Sequence, residues 1–170
     1  CEPYSSSLIK EILSKKKFHP ALKLNLPKKL IVKKYSNGLL EKKWDLIVIA
    51  VSSMGIEFVG EMLKKMKNKN PILILTKGLH YQKVGQRILT MSEQLNKFIK
   101  KGNISVLKGP CLAVELANKI KTSAVIANKD IKTAKSIGKL ISTNYYKFDY
   151  SKDVKGVEIC SAIKNLYSMI

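Results

Sequence analysis

Two short, uninterrupted apolar runs constrain this chain most: Leu46-Ile47-Val48-Ile49-Ala50-Val51 and Pro71-Ile72-Leu73-Ile74-Leu75. Each is too short for a buried helix and is flanked by turn residues, so both predict buried strands of a parallel sheet. Between them, Ile56 to Lys67 carries apolar residues at three- and four-residue spacing, as a crossover helix does. The unit is β-α-β. Downstream the alternation predicts a long helix from about Val84 to Lys101, a strand over Ile104 to Leu107, and a helix from about Leu112. A strand over Thr122 to Ala127, a helix over Ile131 to Ile141, and an aromatic edge strand over Tyr145 to Tyr150 complete it. Upstream, a surface helix over Leu8 to Lys17 follows Ser5, Ser6 and Ser7. Pro20 and Pro27 break the pattern before a β-prone Leu30 to Val32, and Asn37-Gly38 marks a turn. Repeated β-α order predicts an α/β fold, a doubly wound, Rossmann-like sheet with helices on both faces.

The chain has 170 residues, 45% of them apolar, enough for one sizeable core and too many for general disorder. Lys plus Arg is 32 against 12 for Asp plus Glu, a net +20 that attracts anions. Yet Arg87 is the only arginine and the aromatic share is 7%. Nucleic-acid readers use arginine forks and stacking aromatics, so the excess reads as lysine bias and no specific nucleic-acid partner is expected. Cys1, Cys111 and Cys160 are odd in number and unevenly spaced, which fits neither a disulfide framework nor a metal-ligand set. His19 and His80 lie far apart, so no metal is expected. No apolar run approaches the ~18 residues of a membrane span, and no signal segment opens the chain, so a reducing cytoplasm is the expectation. The chain opens on Cys1, and Leu166 to Ile170 stop inside an amphipathic pattern, so both ends read as cut.

Open parallel sheets bind ligands beyond the carboxyl ends of their strands. Three segments occupy such places: Ser52-Ser53, Thr76-Lys77-Gly78 and Lys108-Gly109-Pro110-Cys111. Lys77 follows a buried strand, and Gly78 permits a turn that aims its ammonium into the crevice; a solvated lysine is the equal alternative. Gly109-Pro110-Cys111 lies between strand and helix, where free backbone N–H groups receive phosphates or oxyanions, although strand, glycine, helix is common in this fold class. Glu115 fits the first turn of that helix as a dipole partner. On the wheel of the last helix, Val157, Cys160, Ile163, Tyr167 and Ile170 form an apolar arc, and Lys164 falls between Val157 and Cys160. Glu158 and Asn165 mark the polar side. A lysine at the margin of a buried arc either serves chemistry or snorkels. Cys111 and Cys160 read as small buried packing residues.

Taken in order, Trp44-Asp45 through Ser52-Ser53, Leu75-Thr76-Lys77-Gly78-Leu79, Lys108 through Glu115, Gly156-Val157-Glu158 and Ala162-Ile163-Lys164-Asn165 form an ordered set. In that order the chain resembles the NAD(P)-dependent glycerol-3-phosphate dehydrogenases, particularly the bacterial type, over nearly its whole length. His19-Pro20 through Leu26-Pro27 also looks like the proline-marked approach to the third strand of that family.

The resemblance implies an oxidoreductase that interconverts dihydroxyacetone phosphate and sn-glycerol 3-phosphate with NAD or NADP and supplies glycerol 3-phosphate for phospholipid synthesis. It implies that Lys164 is the catalytic proton acceptor and donor and also binds substrate, while Lys77 touches cofactor and substrate. Gly109 and Cys111 would lie against substrate and Ala113 against cofactor. The family usually has Ser, Thr or Asn where Cys111 stands, and a thiol is a poor hydrogen-bonding substitute. Residues 1–152 would be a dinucleotide-binding domain without its first β-α-β unit, since no G-x-G-x-x-G occurs, and 153–170 the first helix of an all-α substrate domain. Glu2 would then close the second strand and accept the ribose hydroxyls. The 170 residues alone are expected to be inactive, and the full-length protein to be a homodimer. The alternatives are another two-domain lysine-dependent dehydrogenase, of 3-hydroxyacid or 6-phosphogluconate type, and a basic module for nucleic acid or other anions.

Overall fold

The computed structural model describes residues 6–14, 17–33, 44–65, 70–99 and 103–167. The first apolar run forms β3 (Ile47–Ile49), after a small antiparallel ribbon of β1 (Phe18–His19) and β2 (Leu24–Asn25) that adjoins α1 (Ser6–Ser14). The crossover helix α2 (Gly55–Lys65) leads into β4 (Ile72–Ile74), which pairs parallel to β3 with Ile47 opposite Ile72. All three residues of β4 are buried, as expected of a strand covered on both faces. In β3, the edge strand of the sheet, only Ile47 and Ile49 are buried, and Val48 on the opposite face is half exposed. Leu30 to Val32 forms no strand, and Asn37-Gly38 and Glu2 lie outside the described residues.

The expected helix from Val84 does not form. In its place are β5 (Leu79–Gln82) and β6 (Arg87–Thr90), an antiparallel hairpin, followed by the short α3 (Met91–Asn96). Gly85 and Gln86 take positive φ in the connecting turn, which a helix could not pass. Thr90 then starts α3 with a capping box: its hydroxyl accepts from the Glu93 N–H and the Glu93 carboxylate accepts from the Thr90 N–H.

The remaining elements are β7 (Ile104–Lys108), α4 (Ala113–Ala117), β8 (Thr122–Ala127), α5 (Ile131–Ile141), β9 (Tyr146–Ser151) and α6 (Val154–Tyr167). The sheet order is β3-β4-β7-β8-β9. Only the β7–β8 pair is antiparallel. One face packs α2, α3 and α6 against Ile47, Ile49, Ile72, Ile74, Ile104 and Val106. The other packs α5, through Ala134 and Ile137, against Leu73, Leu107, Ala124 and Ile126. The doubly wound α/β expectation therefore stands, with an antiparallel step added. That step decides where the site can form, because β8 and β9 begin at the edge where β7 ends.

Candidate active site

At the carboxyl edge the ends of β3, β4 and β7 are tied together. The Thr76 hydroxyl, almost wholly buried, donates to the Val51 carbonyl at 2.8 Å, and the Leu75 N–H donates to the Ile49 carbonyl at 2.8 Å. Gly78 follows at φ +135°, a conformation that L side chains rarely adopt, so the chain turns away and leaves Lys77 at the exposed crest. At the end of β7, Gly109 runs so close to β8 that a Cβ there would stand 2.9 Å from the Ala124 Cβ and 3.0 Å from its Cα. A Gly109→Ala change is therefore expected to destabilise the chain by about 1–3 kcal/mol, read from urea unfolding, since the obstacle includes backbone. An unchanged unfolding midpoint would refute this reading of the strand end.

A cleft of about 220 Å³ opens here, lined by Lys77, Lys108, Gly109, Cys111, Ala113 and Tyr146, with Leu75, Leu107, Leu112 and Leu116 as apolar walls. A neighbouring cavity of about 230 Å³ is lined by Lys108, Gly109, Pro110, Val125, Val157, Cys160, Ser161 and Lys164. Lys108 and Gly109 are common to both. The fold thus brings Lys77, Gly109, Cys111 and Ala113 into one cleft and sets Lys164 across the β7 end from them. Cys111 is half-buried rather than buried: its Sγ lies 3.4 Å from the Thr122 hydroxyl, 3.4 Å from the Ser123 carbonyl and 3.9 Å from the Tyr146 hydroxyl. Burial pushes the Tyr146 phenol well above its ordinary range, and the adjacent Cys111 adds to the shift, so the hydroxyl keeps its proton. With five residues and no side-chain cap at Leu112, α4 is a poor anion site, and the positive charge at this edge comes from lysines.

Lys164 lines its cavity together with Val157 and Cys160, its neighbours on the wheel, but the part of the arc that carries it is exposed rather than buried. On α6 it is Val154, Val157 and Glu158 that turn to the sheet, while Cys160 and Lys164 are exposed. Glu158 is 2% exposed because its carboxylate accepts from the Ser92 N–H at 3.1 Å and from the Ser92 hydroxyl on α3. A carboxylate that gains such donors tolerates burial. A second link joins the same helices, with the Lys155 ammonium 2.9 Å from a Glu93 oxygen. Against the raising effect of burial, bonds from the Thr90 N–H and Lys155 hold the Glu93 carboxyl below its ordinary range.

The residue that the sequence reading passed over is Lys108. It is 5% exposed, and its ammonium donates to the Thr76 carbonyl. Burial lowers its pKa to about 8, opposed by the negative charge of Glu158 and assisted by the positive charge of Lys77. Its register was a usable signal: Lys108 follows Ile104 and Val106 at two-residue spacing, on the face that α6 covers. Among the described residues no group of three or more His, Cys, Asp or Glu could hold a metal ion. No helix among them is long and apolar enough to cross a membrane.

The sequence profile of the NAD-dependent glycerol-3-phosphate dehydrogenase N-terminus matches residues 4–134. The chain belongs to this family. It is 31% identical over 168 residues to glycerol-3-phosphate dehydrogenase [NAD(P)+] of Rickettsia typhi, covering 97% of this chain and 51% of that protein. It is 34% identical over 136 residues to the enzyme of the same name from a Thermotoga species, covering 79% of this chain and 39% of that protein. The chain therefore spans about half, or less, of the length of these relatives. In fold it is similar to the crystal structure of glycerol-3-phosphate dehydrogenase from Coxiella burnetii, with TM-score 0.81 and 23% identity over 98% of this chain and 50% of that one.

Proposed function

We propose that this chain is the nucleotide-side part of an NAD(P)-dependent glycerol-3-phosphate dehydrogenase, interconverting dihydroxyacetone phosphate and sn-glycerol 3-phosphate for phospholipid synthesis. The observation that carries the reading is the meeting of Lys77, Gly109, Cys111 and Ala113 in one cleft, with Lys164 across the shared Lys108-Gly109 wall. Residues 1–152 are read as the nucleotide-binding part and α6 as the joint to the substrate-binding part.

The apolar walls at Leu75, Leu112 and Leu116 fit the flat, weakly polar end of a nicotinamide cofactor, with Ala113 offering no bulk against it. The residues present form no glycine-rich pyrophosphate cradle, so these contacts would hold one end of NAD or NADP. The chemistry a bound NAD(P)H supplies is transfer of a hydride to the carbonyl carbon. Lys77 places positive charge beside the oxygen that becomes an alkoxide. Lys164 hands that oxygen a proton, and in the reverse direction takes the hydroxyl proton. Gly109 lets substrate approach the backbone, and the Cys111 thiol occupies a place where a hydroxyl would bond better.

A small phosphorylated substrate, a cytoplasmic setting and a homodimeric whole enzyme complete the proposal, with no specific nucleic-acid partner. The free thiols of Cys111 and Cys160 suit a reducing compartment. The test is oxidation of NADH or NADPH by the whole enzyme with dihydroxyacetone phosphate, followed by absorbance. Turnover is expected. Turnover with a 3-oxoacid instead would assign the chain to another lysine-dependent dehydrogenase. A Cys111→Ser variant is expected to keep or lower the KM for dihydroxyacetone phosphate, because a hydroxyl replaces a weak donor at the cleft wall. A tenfold rise in KM, on the order of 1.4 kcal/mol of lost interaction, would mean that the thiol itself is required.

A further inference from the structure

We propose that Lys108 is a positioning residue that fixes the Thr76-Lys77-Gly78 turn and thereby places the Lys77 charge in the cleft. Lys108 lies at the end of β7, on the ridge between the two cavities, and its ammonium donates to the carbonyl of Thr76, the residue before Lys77. Thr76 in turn donates from its hydroxyl to the Val51 carbonyl at 2.8 Å. Three strand ends are joined in sequence, from β7 through β4 to β3, and Lys77 is attached to the middle one. A carbonyl held by a buried, charged donor has little freedom, because losing that bond in a water-poor site leaves both groups unpaired.

The catalytic half of this inference rests on the dehydrogenase reading above, and its structural half does not. Groups that face the Lys108 ammonium or line its two cavities are Lys77 beyond β4, Glu158, Cys160 and Lys164 on α6, Cys111 before α4, and Tyr146 on β9. Glu158 attracts the ammonium and Lys77 repels it, while its lowered pKa lets it lose charge just above neutrality. The uncharged amine is the weaker donor to Thr76, so the turn loosens as the pH rises.

The experiment compares Lys108→Met, Lys108→Arg, Lys77→Ala and the Lys77→Ala/Lys108→Met double variant of the whole enzyme. Lys108→Met is expected to lower kcat/KM for dihydroxyacetone phosphate about tenfold, the share of one charge-assisted hydrogen bond, with NADH affinity almost unchanged. Because Lys108 acts through Lys77, the double variant is expected to lose no more than Lys77→Ala alone. Lys108→Arg keeps a permanently charged donor, so it is expected to restore most of the rate and to move the alkaline fall of kcat/KM upward by at least about one pH unit. Additive losses in the double variant, or a wild-type rate in Lys108→Met, overturn the catalytic half.

Amide hydrogen exchange over residues 75–79 gives a second reading that needs no turnover. Lys108→Met is expected to speed exchange there about tenfold relative to the wild type, with exchange in β8 and α5 unchanged. Unchanged exchange at 75–79 overturns the structural half. If the wild-type protein fails to reduce dihydroxyacetone phosphate while exchange responds as expected, the dehydrogenase reading fails and the Lys108 tie stands.

Discussion

Lys164→Ala is expected to lower kcat of the whole enzyme by about 10²- to 10⁴-fold, the usual share of general acid–base catalysis, with much less effect on cofactor affinity. Of the 31 lysines (32 basic residues less Arg87), this one stands on the helix that packs against β7 and β8, and lines a cavity with Gly109 and Pro110. In the proposed mechanism Lys77, on the far side of the same ridge, presents charge instead of moving a proton, so Lys77→Ala is expected to weaken both binding and rate. The distinguishing measurement is steady-state kinetics of both variants across pH, with cofactor affinity determined separately. A Lys164→Ala enzyme that keeps near-normal kcat and the basic limb of its pH profile would make Lys164 a solvated surface residue and remove it from the site.

The parallel core was legible because burial on both faces leaves an unmistakable record: Ile72, Leu73 and Ile74 are buried together although they point alternately to opposite sides. The same logic fails for direction. Thr122 to Ala127 is equally apolar whichever way it runs, so its antiparallel pairing with β7 left no trace in composition. The hairpin of β5 and β6 was hidden by a run of apolar residues at mixed spacing. Its real markers were local, Gly85 in the turn and the Thr90-to-Glu93 capping box that starts a new helix six residues long.

The candidate site divides in the same manner. Lys77, Gly109 and Cys111 could be placed at this edge because strand ends advertise themselves by apolar runs that stop near glycine, whereas Ala113 entered only through the family resemblance. The orientation of α6 could not, since its most buried charged residue, Glu158, is matched to Ser92 on an element 66 residues away. A wheel drawn on polarity alone sets that carboxylate facing water and Cys160 facing the core, the reverse of what the fold does. Lys108 was concealed by abundance. In a chain with so many lysines, one at the end of a strand attracts no notice unless its parity with Ile104 and Val106 is followed to the face it must occupy.

Burial of Lys108 is expected to make folding stability depend on pH in the direction opposite to an ordinary surface lysine pair. In the folded chain its pKa is lowered to about 8 from an ordinary 10.5, so the unfolded chain binds the proton more readily between those values. Stability rises with pH wherever the unfolded state holds more protons. The cost of burying the charge is therefore fully present below about pH 8, is relieved through the window, and is gone above about pH 10.5. At 1.36 kcal/mol per unit the whole span is on the order of 3 kcal/mol, roughly a hundredfold in the folding equilibrium. The measurement is urea unfolding of the wild type and Lys108→Met at several values from about pH 7 to about pH 10, read as their difference, so that titrations common to both cancel. The wild type is expected to gain on the variant steadily as the pH rises. A difference that stays flat, or that falls, would mean that folding does not penalise this charge, and that the Lys108 ammonium is in water rather than against the Thr76 carbonyl.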